Sequence, residues 1–459
     1  MLFNSYEFLL VFLPAALLIY GMADRYDRLR NPTLILLSLI FYGYWDVRFV
    51  PLLLVSILGN WLAARYYART RNGAVITLAI VANLVALGWF KYFNFFAENV
   101  ELLLGLPTAH AQVALPLGIS FFTFHHIMYL VDLRGGQAPV YSLDRYALYI
   151  CFFPQAISGP LARWSEVVHQ FGRRAFGPGW ERRCAVGATF VVLGLAQKTL
   201  LADPLGTAID PIYAQALAGP VPDGKSWMAL AFVFQVFFDF SGYTDIAIGL
   251  GLIFGIELPR NFDAPFRSAS ILDLWRRWHM TLARFLRDYV FTPLTKVGLG
   301  GRRHRVTRML MAAVLTMALC GLWHGAGWTY VLWGTLQGLA LVFAAVWRKY
   351  LPSPPLPVSW ALTIGFFVVS GVIFRCGTLE AAWNVYQGLA VLPVDRLPGR
   401  NAFALAAICA IILPPSHEIC RRLTEWPRVS VAAALAAAAV VILAVLGERE
   451  SYQFVYFQF

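Results

Sequence analysis

The sequence has 459 residues, of which 59% are hydrophobic and only 14% are charged. Soluble globular proteins carry about 25% charged residues, so this composition excludes an ordinary soluble protein and indicates a chain surrounded by lipid. The net charge of +12 would also suit a nucleic-acid-binding protein. Arginines that cluster in loops between apolar segments are, however, expected of membrane proteins under the positive-inside rule, and we therefore expect no nucleic-acid partner.

Uncharged apolar runs recur along the whole chain, and with their flanks several approach the ~20 residues that a membrane-spanning helix needs. We predict an all-α polytopic membrane protein, one transmembrane domain over residues 1–459, with roughly 11 to 13 spanning helices and re-entrant segments. The first run follows no basic segment, so we expect a retained span and not a cleaved signal peptide. The clearest runs are Phe8–Tyr20, Ala74–Trp89, Val186–Leu195 and Val431–Leu446.

The apolar stretch Tyr146–Pro160 lies between two segments, 132–145 and 163–183, that are both cytoplasmic by charge. A segment whose two ends lie on the same side does not cross the membrane. It also contains Pro154 and ends in Ser158-Gly159-Pro160, residues that break a helix. We therefore predict a re-entrant or interfacial segment here.

The apolar segment Phe237–Gly251 contains two carboxylates, Asp239 and Asp245. Unpaired carboxylates are costly at membrane depth, so each needs a partner. We expect ion pairs with arginines of the segment 276–287 that follows. The alternative is a proton relay of the kind that transporters use.

The segment Ser268–Leu294 has apolar residues at helical spacing, and Ser270 with Asp273 fits the start of a helix. The sequence predicts one amphipathic helix in which four arginines occupy the other faces. Such a helix can simply lie in the membrane interface. Alternatively, its arginines bind the phosphates of a nucleotide-like donor, and for that role we single out Arg276 and Arg284.

The segment Gly321–Gly334, GLWHGAGWTYVLWG, places His324 in a nearly uncharged stretch. An isolated histidine among apolar residues is often a buried structural residue. Here, however, glycines allow close approach of a substrate, Trp323 and Trp328 supply flat apolar walls, and an ionisable group at membrane depth indicates a functional site. No cysteine forms a C-x-x-C pair, so we expect no metal site, and Cys320 beside this motif is expected to be inert.

Taken together, WRRWHMTLARFLRDY, GLWHGAGW and the preceding FFDFSGYTDIAIGLG resemble the membrane-bound O-acyltransferase family. The resemblance is strongest to its bacterial branch of alginate O-acetylation proteins. LPLGISFFTFHHIMYLVD, FFPQAISGPLARW and the terminal FVYFQF agree with that branch. The likeness covers essentially the whole chain, with its core motifs at about 115–347.

The resemblance implies a bundle of tilted helices around a thin centre, where a donor site and an outer funnel meet. It implies that His324 is the catalytic histidine and His279 the second characteristic polar residue. Neutral His324 would act as general base towards a hydroxyl, and His279 would orient it or polarise the carbonyl. The supporting residues that we expect near them are Trp323, Trp278, Arg277, Asp245 and Asp288.

The same resemblance implies acyl transfer to an exported polysaccharide such as alginate, in the bacterial inner membrane. We expect acetyl-CoA or another acyl thioester as donor substrate, with no tightly bound cofactor. The expected partners are membrane lipids, the polysaccharide and a periplasmic protein that relays the acetyl group. The alternatives are other acceptors, namely cellulose, peptidoglycan, teichoic acid or a lipid, and, in other classes, a proton-coupled transporter or a structural scaffold.

Overall fold

The computed structural model describes residues 1–105, 113–297, 304–392, 397–425, 429–448 and residue 454. Helices make up most of this part of the chain, and no strand occurs in it. The predicted all-α class is therefore confirmed. The first helices in chain order are α1 Glu7–Ala23, α2 Asp27–Gly43, α3 Val47–Thr70, α4 Gly73–Leu104, α5 Ile119–Arg134, α6 Leu143–Cys151, α7 Phe153–Ala156 and α8 Trp164–Val167.

Two long helices follow in the middle of the chain, and shorter ones then lead to a helical hairpin and the C-terminal helices. They are α9 Trp180–Ala218, α10 Ser226–Ile253, α11 Ile271–Arg277, α12 Met280–Phe285, α13 Thr292–Lys296, α14 Arg305–His324, α15 Trp328–Tyr350, α16 Leu356–Arg375, α17 Leu379–Gly388, α18 Arg400–Ile412, α19 Ser416–Glu425 and α20 Val429–Glu448. A π-helical turn, Leu286–Phe291, joins α12 to α13.

Seven helices of the described residues, α3, α4, α9, α10, α14, α15 and α16, are long and apolar enough to cross a membrane. An eighth results if α18 and α19, which meet at an angle of 70°, form one broken span. The polytopic class is confirmed, but the predicted 11 to 13 spans exceed this number. The difference comes from apolar runs that fold as shorter helices: α5 has 16 residues, or about 24 Å at 1.5 Å per residue, less than the ~30 Å hydrocarbon core.

The predicted non-crossing segment Tyr146–Pro160 contains most of α6, which has 9 residues, and all of α7, which has 4. Neither is long enough to span, as predicted. Residues 146–162 are all buried within the protein. Irregular backbone at membrane depth is tolerated where protein surrounds it in this way.

Facing glycines bring two pairs of helices into backbone contact. On the α14–α15 hairpin, a Cβ on Gly321 would collide with the carbonyl oxygen of Tyr330, and one on Gly334 with that of Met317. Gly194 and Gly242 have the same relation between α9 and α10. Small residues of this kind let membrane helices pack closely. In the α14–α15 hairpin, this close packing fixes the end of α14, where His324 lies.

The predicted continuous helix from Ser270 is broken. Its start is confirmed, because Ser270 Oγ accepts a hydrogen bond from the Asp273 N–H at 3.1 Å. The helix stops after Arg277, and His279 has φ +42° and ψ +53° before α12 begins. This left-handed conformation is unfavourable for a residue with a side chain and persists only where tertiary contacts impose it.

Candidate active site

His324 and His279 line one small cavity of about 40 Å³. His324 is the last residue of α14, and His279 occupies the break between α11 and α12. We call this space the central cavity. Its remaining walls are almost wholly apolar and come from α10, α15, α16 and the residue before His279: Phe232, Val233, Val236, Phe240, Trp278, Trp333, Phe367, Gly371 and Phe374.

Aromatic rings surround the His324 imidazole. The ring centroids of Trp323, Phe374 and Trp333 lie 4.6, 5.1 and 5.7 Å from that of His324. Trp323 also lies 6.3 Å from the ring of His279, so it contacts both histidines. Walls of this kind exclude bulk water from the imidazole.

His279 is held by Asn261, which belongs to the loop after α10. The Nδ1 atom of His279 lies 3.0 Å from Asn261 Oδ1. His279 is only 2% exposed. It lies outside the candidate spans, and burial lowers its pKa. Burial therefore favours the neutral imidazole, which can exchange a proton with a reactant.

A second cavity, of about 130 Å³, adjoins His324 and Trp323. We call it the Lys91 cavity. Lys91 of α4 donates a hydrogen bond to the backbone carbonyl oxygen of Trp323, and its neighbour Tyr92 donates one to that of Leu322 at 3.0 Å. A cation at the C-terminus of a helix satisfies carbonyls that have no partner within the helix. The cavity is also lined by Trp45, residues 115–121, Ile157 and Ser158.

A third and larger cavity, of about 580 Å³, contains the predicted donor residues Arg276 and Arg284. We call it the arginine cavity. Its wall also includes Arg287, Met280 and apolar residues of α14 and α15. Trp275 lines it too, and the Trp275 ring packs 6.1 Å from that of Trp333 in the central cavity. This aromatic pair therefore lies between the arginine cavity and the central cavity.

Arg284 is already engaged in an ion pair. Its guanidinium donates to the carboxylate of Glu166 at 2.6 and 3.3 Å. Arg276 is exposed. An anionic ligand in the arginine cavity would therefore contact Arg276 directly and compete with Glu166 for Arg284.

Of the predicted supporting residues, Trp323 and Trp278 lie beside the histidines, and three others lie elsewhere. Arg277 pairs with Asp273 at 3.0 Å. Asp288 pairs with Arg287 and Arg163, and the Arg287 guanidinium is the main cause of the lowered pKa of its carboxyl. Arg277 therefore pairs within α11, whereas Asp288 also connects the turn after α12 to Arg163.

Asp245 lines a separate cavity of about 330 Å³, with Arg260 and His417. The prediction that Asp239 and Asp245 pair with arginines of the segment 276–287 is wrong. Asp239 accepts from Lys198 Nζ at 2.7 Å, and Asp245 accepts from Gln197 Nε2 at 2.7 Å. Both donors lie on α9, which packs on α10 through the facing glycines described above.

Sequence reasoning missed four residues of this site: Lys91, Asn261, Trp333 and Phe374. Lys91 carried a usable signal, since it is a cation in a long apolar helix, and such groups tend to face cavities. Asn261 carried none, because its role depends on contacts with residues 18 and 20 positions away. In the sequence, Trp333 and Phe374 cannot be distinguished from other apolar residues of spanning helices.

Comparison with known proteins adds independent findings. The family model "MBOAT, membrane-bound O-acyltransferase family" matches residues 65–380. The chain is 36% identical to a peptidoglycan O-acetyltransferase of Helicobacter pylori, covering 85% of this chain and 80% of that protein. It is 37% identical to a probable alginate O-acetylase of Pseudomonas aeruginosa, covering 85% and 75%. A teichoic acid D-alanyltransferase of Streptococcus thermophilus is 28% identical, over 62% of this chain and 74% of the relative.

Proposed function

The chain belongs to the membrane-bound O-acyltransferase family and is a multi-pass membrane O-acyltransferase. We propose that it transfers an acetyl group from cytoplasmic acetyl-CoA to a hydroxyl group of an exported polysaccharide. The observation that carries the proposal is that His324 lines two cavities at once, the central cavity and the Lys91 cavity. Two reactants can therefore approach one imidazole from different directions.

His324 acts as the general base. As the acceptor hydroxyl oxygen attacks the thioester carbonyl carbon, the hydroxyl proton passes to the neutral imidazole. The C–S bond then breaks, and the proton passes from the imidazolium to the thiolate, so that the products are an acetyl ester and free CoA. Proton transfer of this kind contributes roughly 10²–10⁴-fold to the rate.

The donor occupies the arginine cavity. Guanidinium groups bind phosphates through parallel hydrogen bonds, and Arg276 and Arg284 supply them. The basic residues of this region favour a cytoplasmic location under the positive-inside rule, and acetyl-CoA is available on that side. Only the thin acyl arm then needs to pass Trp275 and Trp333 to reach His324, and the aromatic walls limit hydrolysis of the thioester on the way.

The acceptor enters through the Lys91 cavity, from the outer side of the bacterial inner membrane. The acceptor hydroxyl belongs to the polysaccharide itself or to a periplasmic partner protein that relays the acetyl group. The names of the relatives support an envelope polymer as the final acceptor. An alginate-type polysaccharide and peptidoglycan are supported about equally, because relatives named for each have nearly the same identity to this chain.

The proposal is tested with inside-out membrane vesicles and acetyl-CoA labelled in the acetyl group. We expect alkali-labile label in an exported polymer or a partner protein, and a loss above 100-fold in His324→Gln, since the general base is removed. His169→Gln is the matched control, because His169 is exposed, its Nδ1 lies 3.1 Å from the Ser165 carbonyl oxygen, and it lines neither the central cavity nor the Lys91 cavity. Transfer by His324→Gln at a tenth of the wild-type rate or more would refute the general-base role.

A further inference from the structure

We propose that Asn261 is a positioning residue that fixes neutral His279 as a hydrogen-bond acceptor towards the central cavity. The inference rests on the proposed acyl transfer and assigns a role to a residue outside both histidine motifs. Asn261 is 1% exposed. Asn261 lies between two cavities. Its side chain forms a hydrogen bond with His279, which lines the central cavity, and it also lines the separate cavity that contains Asp245.

The oxygen of the Asn261 amide is identified by its hydrogen bonds. Oδ1 lies 3.2 Å from the backbone nitrogen of Thr281, which can only donate. The Thr281 hydroxyl also donates to Oδ1, at 2.9 Å. The atom that faces His279 Nδ1 is therefore an acceptor, and a flipped amide, with its NH₂ in this place, would confront the Thr281 N–H with another donor.

The tautomer of His279 follows from this arrangement. Because Oδ1 accepts, Nδ1 carries the proton, and in the neutral ring Nε2 then carries the lone pair. Neutral His279 cannot donate a hydrogen bond to a thioester carbonyl through Nε2. Of the two roles expected for His279, polarising the carbonyl is excluded for the neutral ring. Its Nε2 instead accepts a hydrogen bond, from the acceptor hydroxyl or from an N–H of His324, and so orients the group whose proton is transferred.

The backbone around Asn261 explains why His279 holds this orientation. The Met280 N–H donates to the Asn261 carbonyl at 2.8 Å, and the Asp263 N–H donates to the Arg277 carbonyl at 2.9 Å. These bonds bridge the break between α11 and α12 and support the left-handed backbone of His279. They do not involve the Asn261 side chain, so a substitution at position 261 can leave the bridge in place while it removes the bond to Nδ1.

The test compares Asn261→Leu with Asn261→Asp in the vesicle assay, with acetyl-CoA as donor. Leu removes the acceptor, and we expect kcat to fall roughly 10- to 100-fold with little change in the KM for acetyl-CoA, as for removal of other groups that orient a histidine. Asp keeps the acceptor and adds a charge that favours imidazolium. We expect this variant to recover activity at high pH, with the acidic limb of its kcat profile displaced to higher pH.

The matched control is Asn384→Leu. Asn384 is also buried, at 7% exposure, but its amide bonds to the Ala216 carbonyl, and we expect it to leave the pH profile unchanged. The proposal is overturned if Asn261→Leu keeps more than half of the wild-type kcat, or if Asn261→Asp has the wild-type pH profile. His324→Gln is assayed in parallel: if it is active, the proposed function fails, and if it is inactive while Asn261→Leu is active, only the role of Asn261 fails.

Discussion

The ammonium group of Lys91 lies 3.5 Å from the backbone carbonyl oxygen of His324, a residue 233 positions further along the chain. The same group donates to the Trp323 carbonyl and lies 5.7 Å above the indole ring of Trp323. Lys91 thus holds the end of the helix that presents His324, and its side chain also lines the cavity through which we propose the acceptor enters.

Replacement of Lys91 by methionine should therefore affect activity more than stability. We expect acetyl transfer to fall at least about 10-fold, because loss of this bond displaces the helix end that presents His324, and a small displacement of a reacting group can cost roughly this much or more. Tyr92→Phe is the matched control, since it removes a hydrogen bond to the same helix end at a residue that does not line the Lys91 cavity. Transfer is measured per folded protein, alongside thermal unfolding. Equal losses of activity in the two variants would show that Lys91 acts only as a cap of this helix end.

The aromatic walls of the central cavity should keep water away from the thioester. We expect Phe374→Ala to increase the CoA released per acetyl group transferred, because the ring of Phe374 packs against that of His324. Phe343→Ala, on the outer face of α15 and 63% exposed, should leave this ratio unchanged. The ratio is measured by thiol titration alongside label transfer. A lower rate with an unchanged ratio would show that Phe374 does not exclude water.

The arginine cavity should act in donor binding and not in the chemical step. We expect Arg276→Gln to raise the KM for acetyl-CoA roughly 10-fold with kcat nearly unchanged, which corresponds to the loss of one hydrogen bond to a charged group. Arg421→Gln is the control, because Arg421 pairs with Glu418 and Glu425 on α19, away from this cavity. Steady-state kinetics give the KM for acetyl-CoA and the kcat of each variant. A fall in the kcat of Arg276→Gln at constant KM would contradict a role in donor binding.

The ion pairs of Asp288 should contribute to stability in a pH-dependent way. Because Arg287 and Arg163 lower the pKa of this carboxyl below the unfolded value of about 3.9, their contribution is complete above that pH and is lost as the pH falls through the folded pKa. We expect the difference in thermal midpoint between wild type and Asp288→Asn to be constant from about pH 7 to 5 and to shrink below about 4. A difference that is as large at pH 3 as at pH 6 would contradict this. Asp223→Asn, at an exposed pair, is the control.

The motifs around His324 and His279 predict site residues that lie together in the structure, because ionisable groups are unusual in apolar segments. A histidine between glycines and tryptophans, as at His324, is conspicuous in an apolar segment, and the structure places His279 beside it in the central cavity. Trp278 and Trp323 are sequence neighbours of these histidines and were predicted for that reason.

Residues whose roles depend on tertiary contacts could not be predicted. The break at His279 is supported by backbone bonds from the loop at 261–263, which helical periodicity does not reveal. Asp239 pairs with Lys198 because α9 and α10 pack closely, although charge alone made the arginines of the next segment equally plausible partners. The predicted number of spans exceeds the seven or eight candidates among the described residues because short apolar helices have the same composition as spanning ones.

We propose that donor and acceptor reach His324 from opposite faces of the membrane. The most direct measurement uses single cysteines at Leu115 in the Lys91 cavity and Ala283 in the arginine cavity, with the six native cysteines replaced. An impermeant thiol reagent added outside should inhibit transfer through position 115 and spare position 283. Added to inside-out vesicles, it should inhibit through position 283 only, and acetyl-CoA should protect that position. Inhibition of both variants from the same face would contradict the two-sided site and indicate one cavity open to a single compartment.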